Sequence, residues 1–170
     1  MSQKAEHNIE TRIWNTLCED TEFGPELLKL LEIGELIWQR GWAEANAGNF
    51  SLRIPDIIVD EIAPLIHDNS VKVSSPKSRL DLTDYNWLLV SANGSRYREF
   101  KKLGFQNFVL IASSQFQVNE QQYEKLITFP LYRKPTSECA THLAVQNWLH
   151  NNRPQDKVVL HAHPTDWIIL

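Results

Sequence analysis

The sequence predicts an α/β protein in which helices flank a central, mainly antiparallel sheet. Three observations carry that expectation. Apolar residues recur at intervals of three and four near both ends of the chain. Short runs rich in β-formers occupy the middle. No repeat, low-complexity stretch or linker divides the sequence, so residues 1–170 read as one domain.

The elements follow in order. Ile9, Ile13, Trp14 and Leu17 thread a polar N-terminal segment at helical spacing, which predicts an amphipathic helix. Gly24 and Pro25 punctuate, and Pro25 is expected as the first residue of a second helix. Leu27, Leu30, Leu31, Gly34, Ile37 and Trp38 share one face of that helix, and Gly41 supplies its stop. Phe50, Leu52 and Ile54 alternate with Ser51 and Arg53, the periodicity of a strand with one buried face. Residues 55–84 hold prolines and polar residues and predict a connection with one short helix. Trp87 to Ser91 and Phe108 to Ala112 read as buried strands joined through a turn and a basic cluster. Tyr123 to Tyr132 predicts a further strand ending near Pro130. Ala140, Leu143, Ala144 and Trp148 predict a helix over 137–149, and Lys157 to His163 a final strand closed by Pro164.

Composition removes several function classes. With 17 basic against 21 acidic side chains, a net charge of −4 and a pI near 5.9, the chain lacks the charge of a nucleic-acid binder. No apolar run approaches the roughly 20 residues that span a bilayer. Cys18 and Cys139 are too few for a disulfide framework and fit a reducing compartment. The polar, mixed-charge N-terminus resembles neither a signal nor a transit peptide, so a cytoplasmic protein is expected. The sequence stops inside the apolar run Trp167, Ile168, Ile169 and Leu170, which looks like the start of a core-facing helix. It is therefore expected to be the N-terminal part of a longer domain.

Four segments have the composition of a site. His161-Ala162-His163 ends a predicted strand, where side chains two apart share a face about 6.5 Å from one another. Two such imidazoles chelate zinc if a third ligand arrives from elsewhere; otherwise they are solvent-facing histidines. Pro135-Thr136-Ser137-Glu138 precedes a helix, with Thr136 or Ser137 as N-cap and Glu138 in the first turn. The same hydroxyls and backbone N–H groups suit a phosphate, with Glu138 beside it as a base. His142, one turn on, shares the face of Glu138 and reads more readily as a core or supporting histidine than as a ligand. Asn46-Ala47-Gly48-Asn49 is a small-residue loop feeding a strand, open either to a ligand or to an ordinary turn. Asn93-Gly94 follows a strand in the same way. The cysteines have no basic partner pattern, and Arg96, Arg98, Lys101 and Lys102 read as a solvated face.

The order of these segments says more than any one of them. Gly41-Trp42 with Glu44, Asn46, Gly48, Asn49 and Ser51, then Val90 to Gly94, then Pro135 to Glu138 with His142, then His161 to Pro164 resembles the class II aldolase/adducin family. The resemblance runs from about residue 39 to the end. It implies an α/β/α sandwich and a zinc ion held by three histidines, two of them His161 and His163. It implies that Glu138 is the catalytic acid/base, and that Asn46, Gly48, Asn49, Asn93, Gly94, Thr136 and Ser137 bind the substrate and its phosphate. It implies cleavage of a ketose 1-phosphate, L-rhamnulose 1-phosphate by the form of the Gly41–Asn49 segment, to dihydroxyacetone phosphate and L-lactaldehyde. Ala47 and Asn93 depart from the usual glycine and serine of that form. The third zinc histidine and a further acidic residue are expected downstream of His163, beyond this sequence. The expected partner is a small sugar phosphate, with no nucleic acid and no membrane, and a homotetramer for full-length members. The resemblance equally admits an inactive remnant, an adducin-like interaction module or a sugar-phosphate epimerase.

Overall fold

The computed structural model describes residues 3–45, 47–67, 86–113 and 127–164. Helices α1 (Gln3–Glu19) and α2 (Phe23–Gln39) lead into strand β1 (Asn49–Arg53), helix α3 (Asp56–His67) and strand β2 (Asn86–Ser91). A 3-10 turn (Tyr97–Glu99), the four-residue helix α4 (Phe100–Leu103) and a second 3-10 turn (Gly104–Asn107) precede β3 (Phe108–Ser113). Then come β4 (Ile127–Phe129), α5 (Cys139–Asn152) and β5 (Val158–His161). The strands form one sheet in the order β4-β3-β2-β1-β5, every neighbouring pair antiparallel. β1 therefore runs between β2 and β5, pairing Ser51 with Val90 on one side and Asn49 with His161 on the other.

Helices cover both faces. On one, Phe50, Leu52, Leu89, Phe108 and Leu110 pack with Ile13 and Leu17 of α1, Leu27 and Leu31 of α2, and Ile58 and Ile62 of α3. On the other, Leu88, Val90, Val109 and Ile111 meet Cys139 and Leu143 of α5. β2 and β3 are buried on both sides, which is why each reads as an unbroken apolar run instead of alternating. The expected three-layer α/β/α arrangement is the observed one. Among the described residues no helix is long and apolar enough to cross a membrane.

Several local expectations need correction. Ser51 does not face water: it is fully buried, because α5 lies over the side of β1 opposite the aromatic core. α5 in turn buries Cys139, His142, Leu143, Gln146 and Leu149, while Ala140, Ala144 and Trp148 point outward. Its inner face is partly polar, so an apolar count picks the wrong stripe. Trp38 is likewise exposed, whereas the other five α2 positions named for the core are buried. The basic segment after Gly94 is not a plain turn but a run of helical turns. Lys101 there pairs with Glu35 of α2 at 2.9 Å, and Tyr97 and Phe100 turn inward. The strand expected over 123–132 is described as β4 alone, residues 114–126 lying outside the described residues. Trp167 to Leu170 also lie outside them.

Candidate active site

The end of the sheet where β1 begins and β5 stops gathers most of the residues singled out above. Asn49 and His161 stand opposite each other there. Beneath them the hydroxyl of Tyr97 donates toward the carbonyls of Asn49, at 2.7 Å, and His161, at 2.9 Å. Burial, reinforced by the negative charge of Glu138, pushes the Tyr97 phenol far above its usual range, so it remains a donor. Gly48, just before the strand, holds φ at +86°, a conformation that glycine adopts without strain.

Ser91, at the end of β2, ties the loops together. Its Oγ accepts the Phe50 N–H at 2.9 Å, and its carbonyl accepts the Thr136 N–H at 2.9 Å. An Ala92–Pro135 bridge and the Asn93 N–H to the Lys134 carbonyl complete the seam. The Asn93-Gly94 turn and the Pro135–Glu138 segment thus lie side by side. Arg133 anchors the latter from behind, donating to the carbonyls of Phe105 and Phe108 at 2.9 Å each.

Glu138 sits at the N-cap of α5 and not inside its first turn, a one-residue displacement from the expected position. Its N–H donates to Thr136 Oγ1 at 3.4 Å, but the cap position carries no capping side-chain hydrogen bond, so neither Thr136 nor Ser137 is the N-cap expected. The Glu138 carboxylate is held from two sides. Asn49 Nδ2 donates to Oε2 at 3.2 Å, and His161 Nδ1 lies 2.5 Å from the same oxygen. That close approach is not aligned as a hydrogen bond, which leaves the buried His161 Nδ1 without one. A ring nitrogen and a carboxylate oxygen are among the donors a cation takes.

His163 lies beyond the end of β5 but is pinned there, its N–H donating to the Trp42 carbonyl at 2.8 Å. Its ring centroid is 4.6 Å from that of His161, closer than the roughly 6.5 Å of a two-residue strand step, because His163 lies past the strand. The two imidazoles and Glu138 are the nitrogen and oxygen donors zinc prefers. They stop short of a closed set: among the described residues no group of three or more His, Cys, Asp or Glu is arranged to hold a metal ion. The fit is that of a partial donor set.

Between these elements lies a cavity of about 260 Å³, lined by Gly48, Asn49, Asn93, Gly94, Thr136, Ser137, Glu138 and His163, with Glu44 and Ala47 at its edge. Every substrate-binding candidate except Asn46, which lies outside the described residues, borders it. Gly94 holds φ at +77° and faces open space. His142 does not reach the cavity. It is buried, with Nδ1 at 3.0 Å from Ser51 Oγ and Nε2 against Asn49 Oδ1. Burial pulls its pKa down to about 4, with Glu138 opposing and His161 adding to the effect, so the ring is neutral at pH 7. Tyr97 and Gln146 support the site yet carry no sequence signal, since each acts through a contact with a distant segment.

Comparisons with known proteins bear on the family and the fold. A model of the class II aldolase and adducin N-terminal domain matches residues 28–170. The chain is 26% identical over 148 residues to a rhamnulose-1-phosphate aldolase of Bacteroides thetaiotaomicron, covering 85% of this chain and 51% of that protein. It is 30% identical over 146 residues to the rhamnulose-1-phosphate aldolase of Yersinia pseudotuberculosis serotype IB (strain PB1/+), covering 79% and 48%. It spans about half the length of these curated relatives. A solved sugar-phosphate aldolase from Thermotoga maritima shares the fold, with a TM-score of 0.52 at 22% identity over 83% of this chain and 54% of that one. The chain belongs to the class II aldolase and adducin N-terminal domain family.

Proposed function

We propose that this chain forms the phosphate-binding and proton-transfer side of a zinc-dependent aldolase acting on a ketose 1-phosphate, L-rhamnulose 1-phosphate foremost. The observation that carries the reading is the placement of Glu138. Its carboxylate is held by Asn49 beside His161, on the wall of a small polar cavity whose far side is the Asn93-Gly94 turn. A cavity of that size suits a sugar phosphate better than a drug-sized ligand.

Thr136, Ser137 and Gly94 offer hydroxyls and backbone N–H groups to a phosphate, and the second amide hydrogen of Asn49 is available to the same ligand. Held at that end, the sugar lies with its carbonyl toward the histidines and its reacting carbon toward Glu138. Cleavage breaks the bond between the carbon next to the carbonyl and the following hydroxyl-bearing carbon. The electron pair stays with the carbonyl fragment as an enediolate, and the hydroxyl proton passes to water as the aldehyde forms. Glu138, having taken up a proton from water, then delivers it from Oε2 to the enediolate carbon, giving dihydroxyacetone phosphate; in the reverse direction its carboxylate removes that proton. His161 and His163 would hold the zinc, with water or groups outside the described residues at its remaining positions. When bound, the ion supplies Lewis-acid stabilisation of the charge developing on the carbonyl oxygen.

The test is release of dihydroxyacetone phosphate from L-rhamnulose 1-phosphate, read by a coupled dehydrogenase, alongside calorimetric binding of dihydroxyacetone phosphate. Glu138→Gln keeps the contact with Asn49 but cannot carry a proton, so turnover should fall about 10²–10⁴-fold while binding persists. Unchanged turnover in that variant, or a folded chain that neither binds nor releases dihydroxyacetone phosphate in the presence of zinc, overturns the reading.

A further inference from the structure

Behind Glu138 runs a chain of four polar side chains whose donor directions can be worked out from one end to the other. Gln146 Nε2 is 3.0 Å from the Lys157 carbonyl and 3.3 Å from the Ser51 carbonyl. Carbonyls only accept, so the amide nitrogen must face them, and it also donates to Ser51 Oγ at 3.0 Å. With its oxygen accepting from Gln146, Ser51 has its own proton left for His142 Nδ1, 3.0 Å away. Nδ1 is then the acceptor nitrogen, and the neutral ring carries its proton on Nε2. Nε2 donates to Asn49 Oδ1, which leaves Asn49 Nδ2 turned toward Glu138 Oε2 at 3.2 Å. Each link constrains the next, from two backbone carbonyls to a carboxylate.

We propose that His142 is a positioning residue which, as its Nε2–H tautomer, fixes the Asn49 amide with the NH2 group toward Glu138. An Asn amide is symmetric in shape, so packing alone does not decide which end faces the acid. Turned the other way, Asn49 would set an oxygen lone pair against the Glu138 oxygen, and the carboxylate would swing away from the cavity. Ser51 and Gln146 are the upstream members of the same device. This accounts for three polar residues buried between α5 and β1, where an apolar helix face was expected. A histidine whose only role is to fill space would not require its two neighbours to be hydrogen-bonded in one direction.

The kinetic part of the test rests on the aldolase reading; the spectroscopic part does not. In the 15N-labelled chain, long-range 1H–15N correlation should find His142 protonated at Nε2 with an acceptor-type Nδ1. The Asn49 side-chain NH2 signals should move in His142→Phe and return toward their original positions in His142→Gln, whose amide can still donate to Oδ1. His142→Phe should lower kcat about 10²-fold with KM little changed, and His142→Gln should recover much of the loss. An Nδ1–H tautomer, or Asn49 amide signals unmoved in both variants, overturns the proposal. If His142→Phe does not fold, the wild-type tautomer and His142→Gln decide the matter. A wild-type chain with the expected tautomer but no cleavage activity counts against the aldolase reading alone.

Discussion

A β-carbon added at Gly48 would lie 2.4 Å from Cε2 of Tyr97 and 3.0 Å from the His161 carbonyl oxygen. The loop entering β1 therefore rests directly on the phenol ring, and the ring supports both strands that carry the site.

Gly48→Ala should accordingly be costly. It combines a left-handed backbone for a non-glycine residue with overpacking against a buried aromatic, together about 2–4 kcal/mol. Chemical denaturation measures the loss; a change within experimental scatter would mean that Tyr97 moves aside freely.

Tyr97→Phe keeps the ring and removes only the hydroxyl, leaving the Asn49 and His161 carbonyls short of a donor. A loss of about 1–3 kcal/mol is expected. Amide exchange should rise at the start of β1 and the end of β5 before it rises elsewhere. Uniform loosening across the sheet would assign Tyr97 a packing role only.

The depressed pKa of His142 sets a direction for pH dependence. The unfolded histidine takes up a proton near pH 6.5, whereas the folded one resists until about pH 4, so the unfolded state binds more protons between these values. The corresponding stability is fully present above about pH 6.5 and is lost as the pH falls toward 4, on the order of 3 kcal/mol in all. Glu138 and His161 act on the same ring from the site side. Denaturation midpoints at pH 7.5 and pH 5 in wild type and His142→Gln would check the point: the variant should show a flatter profile. Parallel profiles would assign the acid sensitivity to other groups.

If His161 and His163 hold zinc, its binding should be weak and readily reversed by a chelating dye, because two imidazoles leave most of the coordination sphere to be finished by water. His161→Ala and His163→Ala should each abolish it. A tight one-to-one complex that survives either substitution would place the ligands elsewhere.

The helices and strands were legible because burial leaves a period in the sequence. Ile9, Ile13 and Leu17, or Leu27, Leu30 and Leu31, repeat as a helix face must, and β2 and β3 are apolar throughout because both sides are covered. Most of the cavity was legible too, since Gly48, Gly94 and the Thr136–Glu138 segment are local turn and helix-start chemistry. What was not legible was which distant groups the buried polar residues bond. Ser51, His142 and Gln146 are buried because they satisfy one another across elements roughly 90 residues apart, a relation that no local window contains. Tyr97 was hidden for the same reason, its partners lying on two strands that meet only in the folded sheet.

The strand order also governs when the site can come into being. Asn49 and His161 are neighbours in the sheet but about 110 residues apart along the chain, so their pairing is among the last closures a folding molecule can make. The antiparallel pair of β1 and β2 and the helical layer over it can form while β5 is still undocked. Until β5 arrives, Glu138 lacks the imidazole beside it, and the Tyr97 hydroxyl has only one of its two carbonyls. The candidate site is therefore completed with β5, after the core, and a folding intermediate of this protein would be well structured while still lacking it.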